Sequence, residues 1–203
     1  MSLRLRFAVR LVLIAVLSGW AAAANAVYLS ERGQAAYLSG AIDAGDAAAL
    51  EAFLAKPRAA PIKVIYLYSF GGRVVEAMEM AGILRKRGVA TAVEARSTRC
   101  DSACTMLFAG GVQRYYVDGD SVFEGNTSFY GLGYHPSHNR GFGRNPDIAS
   151  GRGTEIMERF YQSMGQPGAI QMMRLASIDT LFRPNGQTAL KLKLATSLAR
   201  PPY

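Results

Sequence analysis

The sequence predicts an α/β domain behind a cleavable leader, and three observations carry that expectation. Strand-like runs alternate with helix-like ones, the pattern of parallel strands joined by helical crossovers. The strongest strand signal, IKVIYLY at 62–68, feeds a Ser69-Phe70-Gly71-Gly72 turn and then an amphipathic stretch. A basic, apolar N-terminus, MSLRLRFAVR followed by LVLIAVLSGWAAA, stands apart from both patterns.

Taken in order, that N-terminus has the basic region, apolar region and small-x-small site (Ala24-Asn25-Ala26) of a secretory signal peptide, with cleavage expected after Ala26. Its apolar run is short of the roughly 20 residues that a spanning helix needs. No later stretch is long and apolar enough to cross a bilayer. The expected organisation is a leader at 1–26 and a single soluble, exported, periplasmic domain at 27–203. Loss of Arg4, Arg6 and Arg10 with the leader lowers the net charge from +8 to +5.

Residues 34–42 (QAAYLSGAI) read as a short strand, and 44–57 as a helix with Asp46 as N-cap and Pro57 as its stop. After the SFGG turn, Val74, Met78, Ala81 and Leu84 recur at helical spacing up to Gly88. VATAVEA at 89–95 is a strand, DSACTMLFAGG at 101–111 a helix, and QRYYV at 113–117 a strand. From 118 to 152 the chain is rich in Gly, Asn and Ser and reads as a loop-rich insertion around a short strand. Two helical patterns follow at 153–165 and 167–177, and LKLKLAT at 190–196 reads as a final short strand.

The basic residues are scattered apart from Arg85-Lys86-Arg87. That triplet ends a predicted helix, where cations oppose the negative end of the dipole, so nucleic acid is not an expected partner. Cys100 and Cys104 are the only cysteines, and an exported chain meets an oxidising compartment. Their spacing is compatible with a disulfide across the first turn of a helix or with two buried thiols. Two cysteines with no histidine nearby make a poor metal set, so no metal is expected.

Ser102 sits between those cysteines. A serine hydroxyl needs a base within hydrogen-bond reach and donors for an oxyanion before it acts as a nucleophile. His135 and His138, both in YGLGYHPSH, are the only histidines. Gly71 of the SFGG turn and the N–H of Ala103, at the positive end of a helix, would supply the donors. On these residues alone, Asp101-Ser102 also fits a plain helix N-terminus in which either side chain caps, and the G-x-S-x-G elbow of α/β-hydrolases is absent.

In the order strand, SFGG, helix, strand, CDSAC, helix, strand, strand, YHPSH, the chain resembles the ClpP peptidase branch of the ClpP/crotonase superfamily. More closely, it resembles the exported ClpP-like proteins of Gram-negative bacteria, over residues 34–196. The resemblance implies a ClpP/crotonase-like fold with repeated β-β-α units. It implies Ser102 as nucleophile, His135 of Tyr134-His135-Pro136 as base, and Gly71 and Ala103 as the oxyanion hole. The family's acid falls near Asp179 of SIDTLF, which reads equally as a turn residue, and Asp147 is a poorer alternative. Two departures stand out: Phe70 replaces the family's usual proline, and the segment between Ser102 and His135 looks longer than in the peptidases. A related Ser-Lys branch points to Lys63, Lys86, Lys191 or Lys193, but Lys63 opens a strand and Lys86 ends a helix, away from the turns.

The resemblance implies an exported ClpP-like serine peptidase that acts on short or unfolded peptides, needs no cofactor and works without ATP or a Clp-type ATPase partner. Self-association fits, since the fold forms rings and trimers. A catalytically inactive envelope module that binds peptides or proteins is the alternative. A crotonase-like acyl-thioester enzyme is the third reading, disfavoured by export because coenzyme A is cytosolic.

Overall fold

The computed structural model describes residues 27–137, 151–177 and 179–203. Its frame is a five-stranded sheet in the order β1-β2-β3-β4-β6, formed by β1 (Val27–Arg32), β2 (Ala35–Gly40), β3 (Val64–Tyr68), β4 (Ala90–Glu94) and β6 (Arg114–Val117). β1 and β2 form an antiparallel hairpin, and every later pairing is parallel. Parallel neighbours need a crossover, and three helices supply them: α1 (Asp46–Ala55), α2 (Val74–Lys86) and α3 (Ala103–Gly110). A second, two-stranded parallel sheet joins β5 (Arg99–Asp101) to β7 (Gly131–Gly133). Three more helices follow, α4 (Gly151–Ser163), α5 (Pro167–Arg174) and α6 (Gly186–Lys191).

The period of two along β3 divides its side chains between two cores. Ile65 and Leu67 join the large core beneath the helices with Met80, Leu84 and Phe108, whereas Val64 joins a smaller one with Ala35, Ala92 and Tyr115 on the opposite face. Burial on both faces explains why this run is the most uniformly apolar strand in the sequence.

Four local expectations are corrected. Asp46 is the first helical residue of α1, with Gly45 at the cap position; its carboxylate accepts from the N–H groups of Val27 and Asp43 instead. The cap of α1 comes from another helix, as Glu76 accepts from Gly45 and Ala47 N–H. β1 and β5 were not expected: β1 follows directly on the leader pattern, and β5 is a three-residue strand whose only signal is its tertiary pairing. The LKLKLAT tail is not a strand. Asn185 caps a short helix through Thr188 N–H, Lys193 turns the chain at φ 57°, and the strand-like contact comes later, at Ser197 beside Tyr115. Alternation over so few residues fits either period.

α2 and α3 pack so closely that a Cβ on Gly110 would stand 2.5 Å from the Ala81 Cα, whereas a Cβ on Gly82 would meet nothing within 4 Å. Both glycines are helical, so alanine gains roughly 0.5–1 kcal/mol of helix propensity at either site. At Gly110 overpacking of roughly 1–3 kcal/mol outweighs that gain. Thermal or urea denaturation should therefore find Gly82→Ala stabilised and Gly110→Ala destabilised.

Candidate active site

Three chain segments converge beyond the carboxyl end of β3. Ser69, just past β3, bridges to Cys100 of β5; its N–H donates to Arg99 O at 2.9 Å, and its carbonyl accepts from Asp101 N–H at 3.0 Å. β5 then pairs with β7, Asp101 opposite Gly133. The chain leaves β5 at Ser102 and enters α3 at Ala103.

That exit is a sharp elbow. Ser102 has φ 55° and ψ −126°, a left-handed backbone that an L-residue adopts at a cost of roughly 1–3 kcal/mol. Its N–H donates to Gly133 O at 2.8 Å, and its carbonyl accepts from Thr105 N–H at 2.9 Å and from Thr105 Oγ1 at 2.6 Å. Thr105 Oγ1 in turn lies 2.6 Å from the Tyr161 hydroxyl. Burial pushes the Tyr161 phenol far above its ordinary range, so it stays protonated and is available as the donor to Thr105.

Gly71 presses against this elbow at φ 90°. A Cβ there would come within 2.8 Å of Ser102 Cβ, 2.6 Å of Asp101 O and 3.0 Å of Ala103 N, so only glycine fits. The Gly71 N–H donates to the Ser69 hydroxyl at 3.1 Å. Ala103 opens α3, where first-turn N–H groups have no acceptor within the helix. Gly71 and Ala103, whose N–H groups the sequence nominated, thus both lie against Ser102, with the Gly71 N–H turned to the Ser69 hydroxyl.

His135 follows from β7. The parallel register ends at Asp101 opposite Gly133, so Ser102 and Tyr134 leave two paired strands at the same end, with Ala103 and His135 next along each chain. His135 is 7% exposed, whereas Ser102 is half-buried. Tyr134 forms an antiparallel bridge with Phe182, which brings the segment after α5 to this edge. Asp179, three residues before Phe182, is exposed and lies in a turn where Thr180 Oγ1 accepts from Ser177 N–H at 3.1 Å. His138 and Asp147 lie outside the described residues. Lys63 precedes β3, at the end of the sheet opposite Ser102, and Lys86 closes α2.

Between the flanking strand and helix runs a disulfide. Cys100 and Cys104 are joined, their Cα atoms 5.1 Å apart, with both residues fully buried.

Residues that the sequence did not single out for the site surround Asp101. Its carboxylate, buried behind Ser102, pairs with Arg183 Nη1 at 2.8 Å and with Nε and Nη2 of Arg99. Arg183, 2% exposed, also donates to Ser128 O at 2.8 Å and Gly131 O at 3.0 Å, which ties the long segment before β7 to the elbow. The Arg99 guanidinium lies between two rings, 4.6 Å from the Phe70 centroid and 4.5 Å from that of Phe129. Phe70 replaces the usual proline and Phe129 belongs to the expected insertion, so the two departures from the family pattern meet on one cation. Arg99 and Asp101 share a face only because β5 is a strand, which its tertiary pairing decides, and the partners of Arg183 are more than 50 residues away, so neither pairing carried a local signal.

No protein-family model matches the sequence, and no curated protein matches it. Solved structures do match. The 1510-N membrane-bound stomatin-specific protease aligns at TM-score 0.59 and 16% identity over 83% of this chain and 79% of its own. A ClpP1 mutant from Listeria monocytogenes aligns at 0.54 and 14%, over 83% and 92%. An enoyl-CoA hydratase/isomerase from Marinobacter aquaeolei aligns at 0.51 and 11%, over 87% and 71%. The chain has the ClpP/crotonase fold, shared by peptidases and acyl-thioester enzymes alike. Among the described residues no helix is long and apolar enough to cross a membrane.

Asp101→Asn leaves Arg183 buried without a counter-charge and should lower stability by roughly 3–5 kcal/mol. Arg183→Met leaves Asp101 its pair with Arg99 and should cost less, and the double variant should lose clearly less than the sum of the two. Urea titration of the four proteins checks this.

Proposed function

We propose that this ClpP/crotonase-fold chain is an exported serine peptidase, acting through Ser102 and His135 without ATP. The observation that carries the reading is the elbow: a serine in strained left-handed backbone at a helix N-terminus, with a glycine turn on one side and a buried histidine leaving the neighbouring strand.

In this reading the Ser102 hydroxyl attacks the carbonyl carbon of a peptide bond while its proton passes to the His135 imidazole. The oxyanion that forms is held by the N–H groups of Gly71 and Ala103. Collapse of the tetrahedral species breaks the C–N bond, and the departing amine takes the proton from His135. Water, deprotonated by His135, then releases the acyl group and regenerates the serine. Asp179 would orient the imidazole; its exposure and its place in a tight turn are equally those of a turn residue, so a Ser-His pair is the minimal machinery.

Substrates are short or unfolded peptides lying along the SFGG turn, past the Phe70 ring, which is more than half exposed. The buried disulfide agrees with an oxidising compartment and hence with the leader at 1–26 and a periplasmic location. A compartment without ATP has no use for a Clp-type ATPase, and self-association into rings or trimers accords with the fold. The second reading, a non-catalytic peptide- or protein-binding module, draws on one feature: the Gly71 N–H donates to the Ser69 hydroxyl.

A fluorophosphonate probe applied to the purified exported protein should label the wild type. Ser102→Ala should abolish labelling, and His135→Ala should slow it by about a hundredfold or more. Absence of labelling in folded wild-type protein would overturn the peptidase reading and favour the binding module. Ser69→Ala tests the oxyanion donor separately. It frees the Gly71 N–H for the reacting oxygen, so the labelling rate should rise while thermal stability falls; a drop in both would assign Ser69 a role beyond the turn.

A further inference from the structure

We infer that the Cys100–Cys104 disulfide is a positioning device for Ser102, so that the nucleophile is assembled only in the oxidised protein. The kinetic part of this inference rests on the peptidase reading above; the conformational part does not.

The bridge straddles the elbow symmetrically, two residues before Ser102 and two after. Cys100 is fixed in β5, where it pairs with Leu132 and bridges to Ser69, and Cys104 is the second residue of α3. The change from strand to helix takes place between them. Its one strained residue is Ser102, and such backbone persists only where its surroundings over-determine it.

The local sequence offers a competing conformation. Asp101-Ser102 has the composition of an ordinary helix start, and a helix begun one residue earlier would relieve the positive φ of Ser102. It would also break the hydrogen bond from Ser102 N–H to Gly133 O and move the Ser102 Cβ from its place against Gly71. The disulfide holds the short loop between strand and helix against that relaxation. Packing of Gly71 and the Asp101 ion pairs act on the flanks of the elbow, whereas the covalent link spans it. Cys100 and Cys104 are therefore positioning residues. Formation of the bond removes two electrons and two protons from the thiols, taken up by a disulfide oxidant that is itself reduced to a dithiol. A chain still in a reducing cytoplasm would carry an unassembled site, and export would activate it.

The test compares oxidised protein, the same protein refolded in a phosphine reductant, that sample reoxidised with glutathione disulfide, and the Cys100→Ala/Cys104→Ala double variant. Two readouts are taken: the fluorophosphonate labelling rate at saturating probe, and hydrogen exchange at the Ser102 amide relative to amides of β3 and α2. The reduced protein and the double variant should label about tenfold more slowly or worse. Both should also lose protection at Ser102 while β3 and α2 stay protected. Reoxidation should restore the wild type and leave the double variant unchanged.

Equal Ser102 protection in oxidised and reduced protein would overturn the inference, as would labelling rates within about twofold of each other in protein that labels when oxidised. Loss of protection throughout β3 and α2 would also overturn it, because the bridge would then be a staple of the whole fold. If the oxidised protein never labels but Ser102 protection still falls on reduction, the peptidase reading fails and the positioning role stands.

Discussion

The left-handed backbone at Ser102 is the constraint around which the site is arranged. An L-residue does not rest there by preference, so the surrounding elements must hold it. Gly71 closes one side at a distance that no side chain could share, Gly133 receives the Ser102 N–H, and Thr105 takes the carbonyl from both its N–H and its hydroxyl. A helix start free of these contacts would present its serine as a cap, with the hydroxyl folded onto its own backbone. In the elbow the hydroxyl is released from that duty.

Electrostatics behind the elbow follow from a single buried carboxylate serving two guanidinium groups. Asp101 compensates Arg183 in the interior and Arg99 nearer the surface. Arg183 also donates to the carbonyls of Ser128, before β7, and of Gly131, the first residue of β7, and Arg99 spreads its charge over the faces of Phe70 and Phe129. Phe70 and Phe129 thus have a structural task in holding Arg99, although both remain more than half exposed.

The fold is common to a stomatin-specific protease and an enoyl-CoA hydratase, and it favours neither chemistry. Two N–H groups converging at one point stabilise an oxyanion in acyl transfer and in thioester chemistry alike. What separates the readings is the residue that lies against Gly71 and precedes Ala103. Here it is a serine at an elbow bracketed by a disulfide, with an imidazole leaving the adjacent strand.

The sequence by itself determined the alternation of strands and helices and the glycine turn after β3, and through its resemblance it nominated Ser102 and His135 as the residues to watch. These are local or motif-borne properties: β-branched runs, helical spacing of apolar residues, and the order of short motifs along the chain. It left the Cys100–Cys104 bridge undecided, since one spacing suits both a bond and two thiols. Only the tertiary structure decided that β5 is a strand, because three residues acquire that conformation from Ser69 and β7 rather than from their own propensities. The same holds for Glu76 capping another helix and for Arg183 anchoring Asp101. Each is a polar group whose partner lies dozens of residues away. No local pattern encodes such a pairing; burial imposes it once the chain has closed around the site.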